Sequence, residues 1–489
     1  MAFLATDPVG PQGTLRQRLL VAMGVALAAA CVIGILRIAV TLNLPAVYGM
    51  DEGWSAFHQA EAIAGQTPYP DASSLMYNVY PPLSFYIVGA FGRLIGDNIL
   101  AGRILSLVAF LVTALGIAQA VRLMGGRKSA AGFAALVFMT GLLFDHDYVG
   151  TNTPQMLAHA FGIVGLVLCL RQPRSARALF FAALFFVLAG FTKHNLVAQP
   201  LAVAVWLLVI DRRSALTFIL SGAALGAAAC VAFQLVFGHS VWSEVHSARI
   251  WSAGFAFHAL VGRVPEALAP LLASFALLRW FPQDRTVQFC LLYLAIAIGS
   301  AAYFIGGAGT GGNMLFDAEI AVALCAGFGL HKLSTRHPAA GVAACYALPL
   351  LAVVAFTALT GRFPRFWLDQ NAKPVADARQ DIAFLKTQQG PVLCRELALC
   401  FRAGKTAEAD LWNVEQAVVL GRRDGHELRD AIAARRYAVL QLAAPPNVLG
   451  AAPELQGPFT RAIAATIQAH YVIHHRDAVG TFWVRRHTP

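Results

Sequence analysis

Apolar runs recur along this chain from Leu19 to Thr360, each near the length that crosses a bilayer. A hydrocarbon core takes roughly 20 apolar residues per helix. The runs therefore predict an α-helical polytopic membrane protein. Composition agrees, with 58% hydrophobic and only 13% charged residues, where soluble domains are about a quarter charged. The net charge of +11 is not a nucleic-acid footprint. Most Arg and Lys lie in short loops between runs, where they set orientation, and no nucleic-acid partner is expected.

About eleven spans are expected, near 19–42, 99–122, 130–144, 154–170, 178–191, 196–210, 215–237, 265–280, 287–305, 315–330 and 339–360. The first lies behind Arg16 and Arg18 and is too long for a signal-peptide core, so it reads as a signal anchor. Every second connection is basic: Arg122/Arg127/Lys128, Arg171/Arg174/Arg177, Arg212/Arg213, Arg279/Arg285 and Lys332/Arg336. These mark the cytoplasmic side, with the N-terminus. The other loops then face outward, as does the tail from Gly361 onward.

The first outer loop, 43–98, is no plain linker. Residues 53–64 have helical spacing, and Leu83–Ile95 is apolar but too short to cross. Such helices usually lie along the interface, so both are expected on the outer leaflet. After residue 360 the composition turns polar. Strands are expected at 391–394, 437–442, 471–474 and 481–484, with helices at 427–435 and 460–468. Two domains follow: 1–360 in the membrane, and a small extracytoplasmic α/β domain at 361–489, a usual size for one domain. Cys394 and Cys400 lie in that tail and pair if its compartment is oxidising. The other cysteines fall in apolar runs and read as small packing residues.

Chemistry-bearing residues gather in the outer loops. Asp51 and Glu52 stand together at a helix start, as a base, as ligands, or simply where acids suit the helix dipole. Asp145 and Asp147 flank His146 where a span emerges, a set able to hold a cation or a substrate hydroxyl. Lys193 is a cation in a very short outer loop, suited to a lipid phosphate or to snorkelling. The loop 238–264 carries Arg249, Arg263 and His258 among Trp242, Trp251 and Phe255. Rings stack on sugar faces and Arg forks onto phosphate, though an aromatic belt has the same composition. Here His258 is the candidate ligand for a divalent metal or a phosphate. The glycine-rich stretch before the tenth span adds Asn313, Asp317 and Glu319 without phosphate-loop spacing.

The stretches DEGWSAFHQAEAIAGQTPYP, YPPLSFYIVGAFGRLIGDNILAGRILSLV, DHDYVGTNTPQMLAHAFGIVGL and FTKHN resemble, in order, the GT-C fold of polyprenyl-phosphate-sugar-dependent glycosyltransferases. The likeness is to the branch of protein O-mannosyltransferases and the lipid A aminoarabinose transferase. It covers about the first 210 residues and is one of layout only beyond residue 240. The resemblance implies a bacterial inner-membrane enzyme that moves a sugar from a polyprenyl-phosphate donor to a lipid, glycan or protein acceptor. It implies Asp51 as the catalytic base, with Glu52 beside it and Asp145 or Asp147 as the second-loop acid. It sets Pro81 and Pro82 at the helix near the donor phosphate and Lys193 after the fifth span. Arg249 and Arg263 are further candidates for the leaving phosphate. The family often has Lys or His before its proline pair, where Tyr80 stands here, and His194-Asn195 follows Lys193 in place of the commoner Gly-Pro. The alternative is a transporter or flippase, which predicts an internal repeat and mid-membrane ionisable groups. No repeat is visible, and the acids cluster at outer span ends.

Overall fold

The structure, a computed structural model, describes residues 11–45, 51–71, 73–145, 148–238, 240–245, 249–262, 277, 279–336, 364–443 and 458–486. Helix α1 (Pro11–Thr41) leads to the short helices α2 (Asp51–Ile63) and α3 (Leu83–Ile95). A ladder of apolar helices follows: α4 (Asn98–Leu123), α5 (Lys128–Asp145), α6 (Gln155–Arg171), α7 (Ala176–Thr192), α8 (Ala198–Ile210) and α9 (Arg212–Phe237). Then come α10 (Ser240–Val245), α11 (Ala253–Val261), α12 (Arg285–Phe304) and α13 (Phe316–Arg336). Among the described residues five helices are long and apolar enough to cross a membrane, and shorter apolar helices stand between them. The spans expected near 265–280 and 339–360 lie mostly or wholly outside the described residues.

Helix starts follow side-chain chemistry. Asp97, Ser175, Asp211 and Asp284 each accept a backbone N–H at the start of α4, α7, α9 and α12, which satisfies donors left over in a first turn. Gly96 ends α3 at φ 83°, a left-handed conformation that favours glycine, and the chain turns at once into α4. The bundle core joins Phe110, Phe138, Ile163, Tyr293 and Phe328. Large apolar side chains such as Val25, Leu36, Leu115 and Leu235 stay exposed, as a lipid-facing surface requires.

The carboxy-terminal domain opens with α14 (Pro364–Thr387). Its sheet holds β1 (Val392–Cys394), β2 (Val439–Leu442), β3 (Tyr471–Arg476) and β4 (Thr481–Arg485) in the order β1-β2-β4-β3. The β1–β2 pair is parallel; β2–β4 and β3–β4 are antiparallel. Between strands run α15 (Leu397–Arg402), α16 (Leu411–Val419), α17 (His426–Ala433) and α18 (Pro458–His470). Side chains alternate across a strand. Leu393, Leu440 and Trp483 share one core with α16, α17 and α18, while Val392, Val439 and Phe482 share another with Ala378 and Leu385 of α14.

Several contacts join this domain to the bundle among the described residues, two of them at the first outer loop and α2. Leu75 and Tyr77 of the first outer loop pack on its core, and Leu75 O accepts from Asp410 N at 2.9 Å. The second is α15, tied to β1 by the disulfide Cys394–Cys400. It lies directly on α2, so that a Cβ at Gly53 would sit 1.9 Å from the backbone N of Ala398. Helix α2 is therefore mostly buried, between α3, α4 and α15. Helix α3 does expose Leu94 and Ile95. Gly53→Ala is expected to lower stability by about 1–3 kcal/mol through overpacking. Thermal unfolding in detergent measures this; an unchanged midpoint would mean that α15 is free to shift.

Candidate functional site

The two adjacent acids face different surroundings. Asp51 is exposed at the first position of α2, and Glu52 is buried. The Glu52 carboxylate takes two bonds from Arg103 of α4, from Nε at 2.8 Å and Nη2 at 2.6 Å. Arg103 Nη1 donates to the carbonyls of Leu42 at 3.0 Å and Leu44 at 2.7 Å, just past the end of α1. One guanidinium thus binds the end of α1 to the start of α2. Glu52 also accepts from Asn152 N at 2.9 Å, and the Asn152 amide pairs with that of Gln59.

The loop after α2 is set by its own hydrogen bonds. Trp54 Nε1 donates to Tyr77 O at 2.9 Å, Asn78 Nδ2 to Pro68 O at 2.7 Å, and Tyr69 OH to Tyr80 O at 2.8 Å. Trp54 meets the ring of Tyr80 edge-on at 5.3 Å. Over the same Tyr80 ring stands Lys193 Nζ, 5.2 Å from its centre. Lys193 caps α7 and is buried. Burial pulls its ammonium down to about 8; Asp51 works against that shift and Arg249 adds to it. Burial, helped by the Asp51 charge, holds the Tyr80 phenol above its ordinary range. Arg249 also acts on Tyr80, so Asp51, Tyr80, Lys193 and Arg249 share one electrostatic neighbourhood.

Arg249 is held there by a short pairing of chain segments. Ala308 N donates to Ile250 O at 2.8 Å and Ser252 N to Gly306 O at 2.9 Å. Arg249 Nη1 donates to Ala308 O at 3.1 Å, and its guanidinium lies 5.6 Å from the ring centre of Trp412, at the start of α16. A side chain at Gly309 would strike Trp412, and one at Gly311 would strike the Tyr148 hydroxyl. The glycine-rich stretch serves close approach rather than phosphate cradling.

Of the other expected site residues, three have side chains outside the described residues and two lie apart. Asp147 and Arg263 lie outside the described residues, as does the side chain of Asp145. His258 is exposed on α11 against the ring of Phe257. Among the described residues it belongs to no group of three metal-binding side chains. Asp317 accepts from Tyr293 OH at 2.9 Å and lies 3.9 Å from His159 Nδ1. It lines a small polar pocket with Gln155, Asn195 and Asn313. Arg103, Asn152, Trp412 and Tyr148 were not singled out from the sequence. Arg103 had left a signal, a charge inside an apolar run; its pairing with Glu52 had not.

Chemically, the arrangement offers an exposed carboxylate beside two cations and a protonated phenol. That set can accept a proton and hold an anion, side by side.

The chain has the GT-C glycosyltransferase fold. Residues 79–242 match the family model described as dolichyl-phosphate-mannose-protein mannosyltransferase. The fold is similar to that of ArnT from Cupriavidus metallidurans in the apo state, with TM-score 0.63 and 15% identity over 93% of this chain and 97% of that one. It is similar to the same protein bound to undecaprenyl phosphate, at TM-score 0.61 and 15% identity over 97% and 98% of the two chains. The Archaeoglobus fulgidus oligosaccharyltransferase in complex with Zn and sulfate matches at TM-score 0.50 and 12% identity, over 94% of this chain and 73% of that one. No curated protein matches the chain in sequence. At these identities the solved structures speak for the fold alone.

Removing one partner of a buried ion pair costs about 3–5 kcal/mol. Arg103→Ala and Glu52→Gln are each expected to destabilise the protein on that scale. Arg103→Lys should not rescue, because an ammonium lacks the planar fork. A double-mutant cycle read by thermal unfolding checks this, and additive losses would refute the coupling.

Proposed function

We propose that the chain transfers a sugar from a polyprenyl-phosphate donor to an acceptor hydroxyl, on a lipid, glycan or protein, at the extracytoplasmic face. The observation that carries this reading is the buried Lys193 over the ring of Tyr80, within electrostatic reach of Asp51 and Arg249. A buried ammonium is costly unless something anionic meets it, and a lipid phosphate is the anion that a membrane enzyme can deliver there. The ArnT structure of similar fold is bound to undecaprenyl phosphate, which suits such a carrier. The outward placement rests on the basic loops at the opposite helix ends and on the disulfide in the tail.

An acceptor hydroxyl must lose its proton as its oxygen attacks the anomeric carbon. Asp51, exposed and unpaired with Arg103, is the base for that proton. The bond from the anomeric carbon to the phosphate oxygen breaks, and polyprenyl phosphate leaves with the added charge. Lys193 and Arg249 offset that charge, with Arg263 as a third cation in the same role. Asp145 or Asp147 would hold the acceptor hydroxyl. Glu52 acts through Arg103, as a positioning residue.

Asp51→Asn is expected to lower transfer from a radiolabelled polyprenyl-phosphate sugar by about 10²–10⁴-fold, with the unfolding temperature unchanged. Turnover at the wild-type rate would remove Asp51 from the mechanism. Lys193 is charged below its pKa, so phosphate recognition is present at lower pH and lost as pH rises. The donor kcat/KM is expected to fall above about pH 8. Lys193→Arg should shift that limb upward, since a guanidinium stays charged; an identical profile in the variant would overturn the assignment.

A further inference from the structure

We propose a divalent-cation site, suited to zinc, on the carboxy-terminal domain, formed by Asp381 of α14, His475 of β3 and Asp477 in the turn that follows. None of these residues enters the transfer reaction. Their ligand atoms lie within 4.8 Å of one another. His475 Nε2 stands 2.9 Å from Asp381 Oδ1 and 3.3 Å from Asp477 Oδ2. A ring nitrogen carries at most one proton, yet two carboxylates face this one.

The second observation is Asp381 itself. It is 1% exposed, and its Oδ2 has no hydrogen-bond partner. A buried carboxylate oxygen without a partner is costly, and a cation removes that cost. Asp477 is oriented by its turn: Oδ1 accepts from Val479 N at 2.8 Å and Gly480 N at 3.1 Å. That leaves Oδ2 facing the histidine. The register of β3 against β4 slips between Ile473 and His475, and such bulges re-aim side chains. Here the His475 ring stacks flat on Phe482 at 4.3 Å, with Nε2 toward α14. Its Nδ1 lies 2.8 Å from Nδ1 of His474, the kind of outer partner that orients a ligating imidazole.

One imidazole and two carboxylate oxygens, with a further position left for water, suit tetrahedral zinc. Magnesium keeps oxygen ligands and octahedral geometry, so the imidazole favours the transition metal. Two carboxylates balance the charge of the cation. The bound ion would clip α14 to the β3–β4 hairpin, joining residues 94 positions apart.

The test uses the full-length protein in detergent, stripped with a chelator and titrated with zinc against a chromophoric competitor. Metal content is read by elemental analysis. Wild type is expected to hold one zinc per chain more than His475→Gln or Asp381→Asn, and to unfold at a higher temperature with zinc than without. The variants should bind at least about 100-fold more weakly at this site, beyond the roughly 10–100-fold typical of outer-shell partners, and should lose the zinc-dependent shift. Equal zinc content and an equal shift in wild type and variants would overturn the site, leaving a hydrogen-bonded Asp–His–Asp cluster without metal. Should Asp381→Asn fail to fold, His475→Gln and Asp477→Asn decide on the same criteria, since both replace partly exposed side chains.

Discussion

The candidate site depends on one buried guanidinium. Arg103 sits near the start of an apolar helix, where an unpaired charge would be prohibitive. Its N–H groups are met by both oxygens of Glu52 and by carbonyls at the end of α1. The joint between α1 and α2 is therefore held by an ionic clamp rather than by packing alone. Successive helical residues point about 100° apart. With Glu52 drawn inward onto Arg103, the neighbouring Asp51 cannot join it and stays at the exposed helix start. Of two acids side by side, one is buried in an ion pair and the other stays at the surface.

The rest of the neighbourhood is assembled at the junction of bundle and tail. Helix α15 and the disulfide beside it press on α2 at Gly53, while Trp412 of α16 lies against Arg249. The tail is thus a wall of the site, not an appendage. The glycine-rich stretch lets Arg249 come close by leaving no side chain in its way. Lys193 completes the set from the opposite flank, on the ring of Tyr80. Before the proline pair Tyr80 supplies a π face that holds a cation.

Much of the fold was legible. The starts and ends of α4, α6, α7 and α12 lie within a few residues of the apolar runs. The tail strands fall where alternation and turn residues placed them. These are local signals, carried by hydropathy and by capping residues such as Asp97 and Asp211. The site was less legible. Asp51, Glu52 and Lys193 were singled out by type and position, but the sequence did not show that Glu52 is buried against Arg103. Arg249 and His258 looked equally eligible in one loop; the structure ties Arg249 to Ala308 and Trp412 and leaves His258 exposed. Helix α2 read as a short helix between spans; its packing partners are α3, α4 and α15, the last more than three hundred residues away.

By itself the sequence determined that this chain enters a membrane, where its helices run, which ends the basic loops mark, and that an α/β tail follows. Those properties depend on runs of neighbouring residues, whose periodicity is read within a few turns. Only the tertiary structure decided which acid is buried, which cation meets Tyr80, and that the tail closes over α2. Those outcomes depend on pairings across dozens to hundreds of residues, where each side chain's partner is chosen by packing and charge, not by its position along the chain.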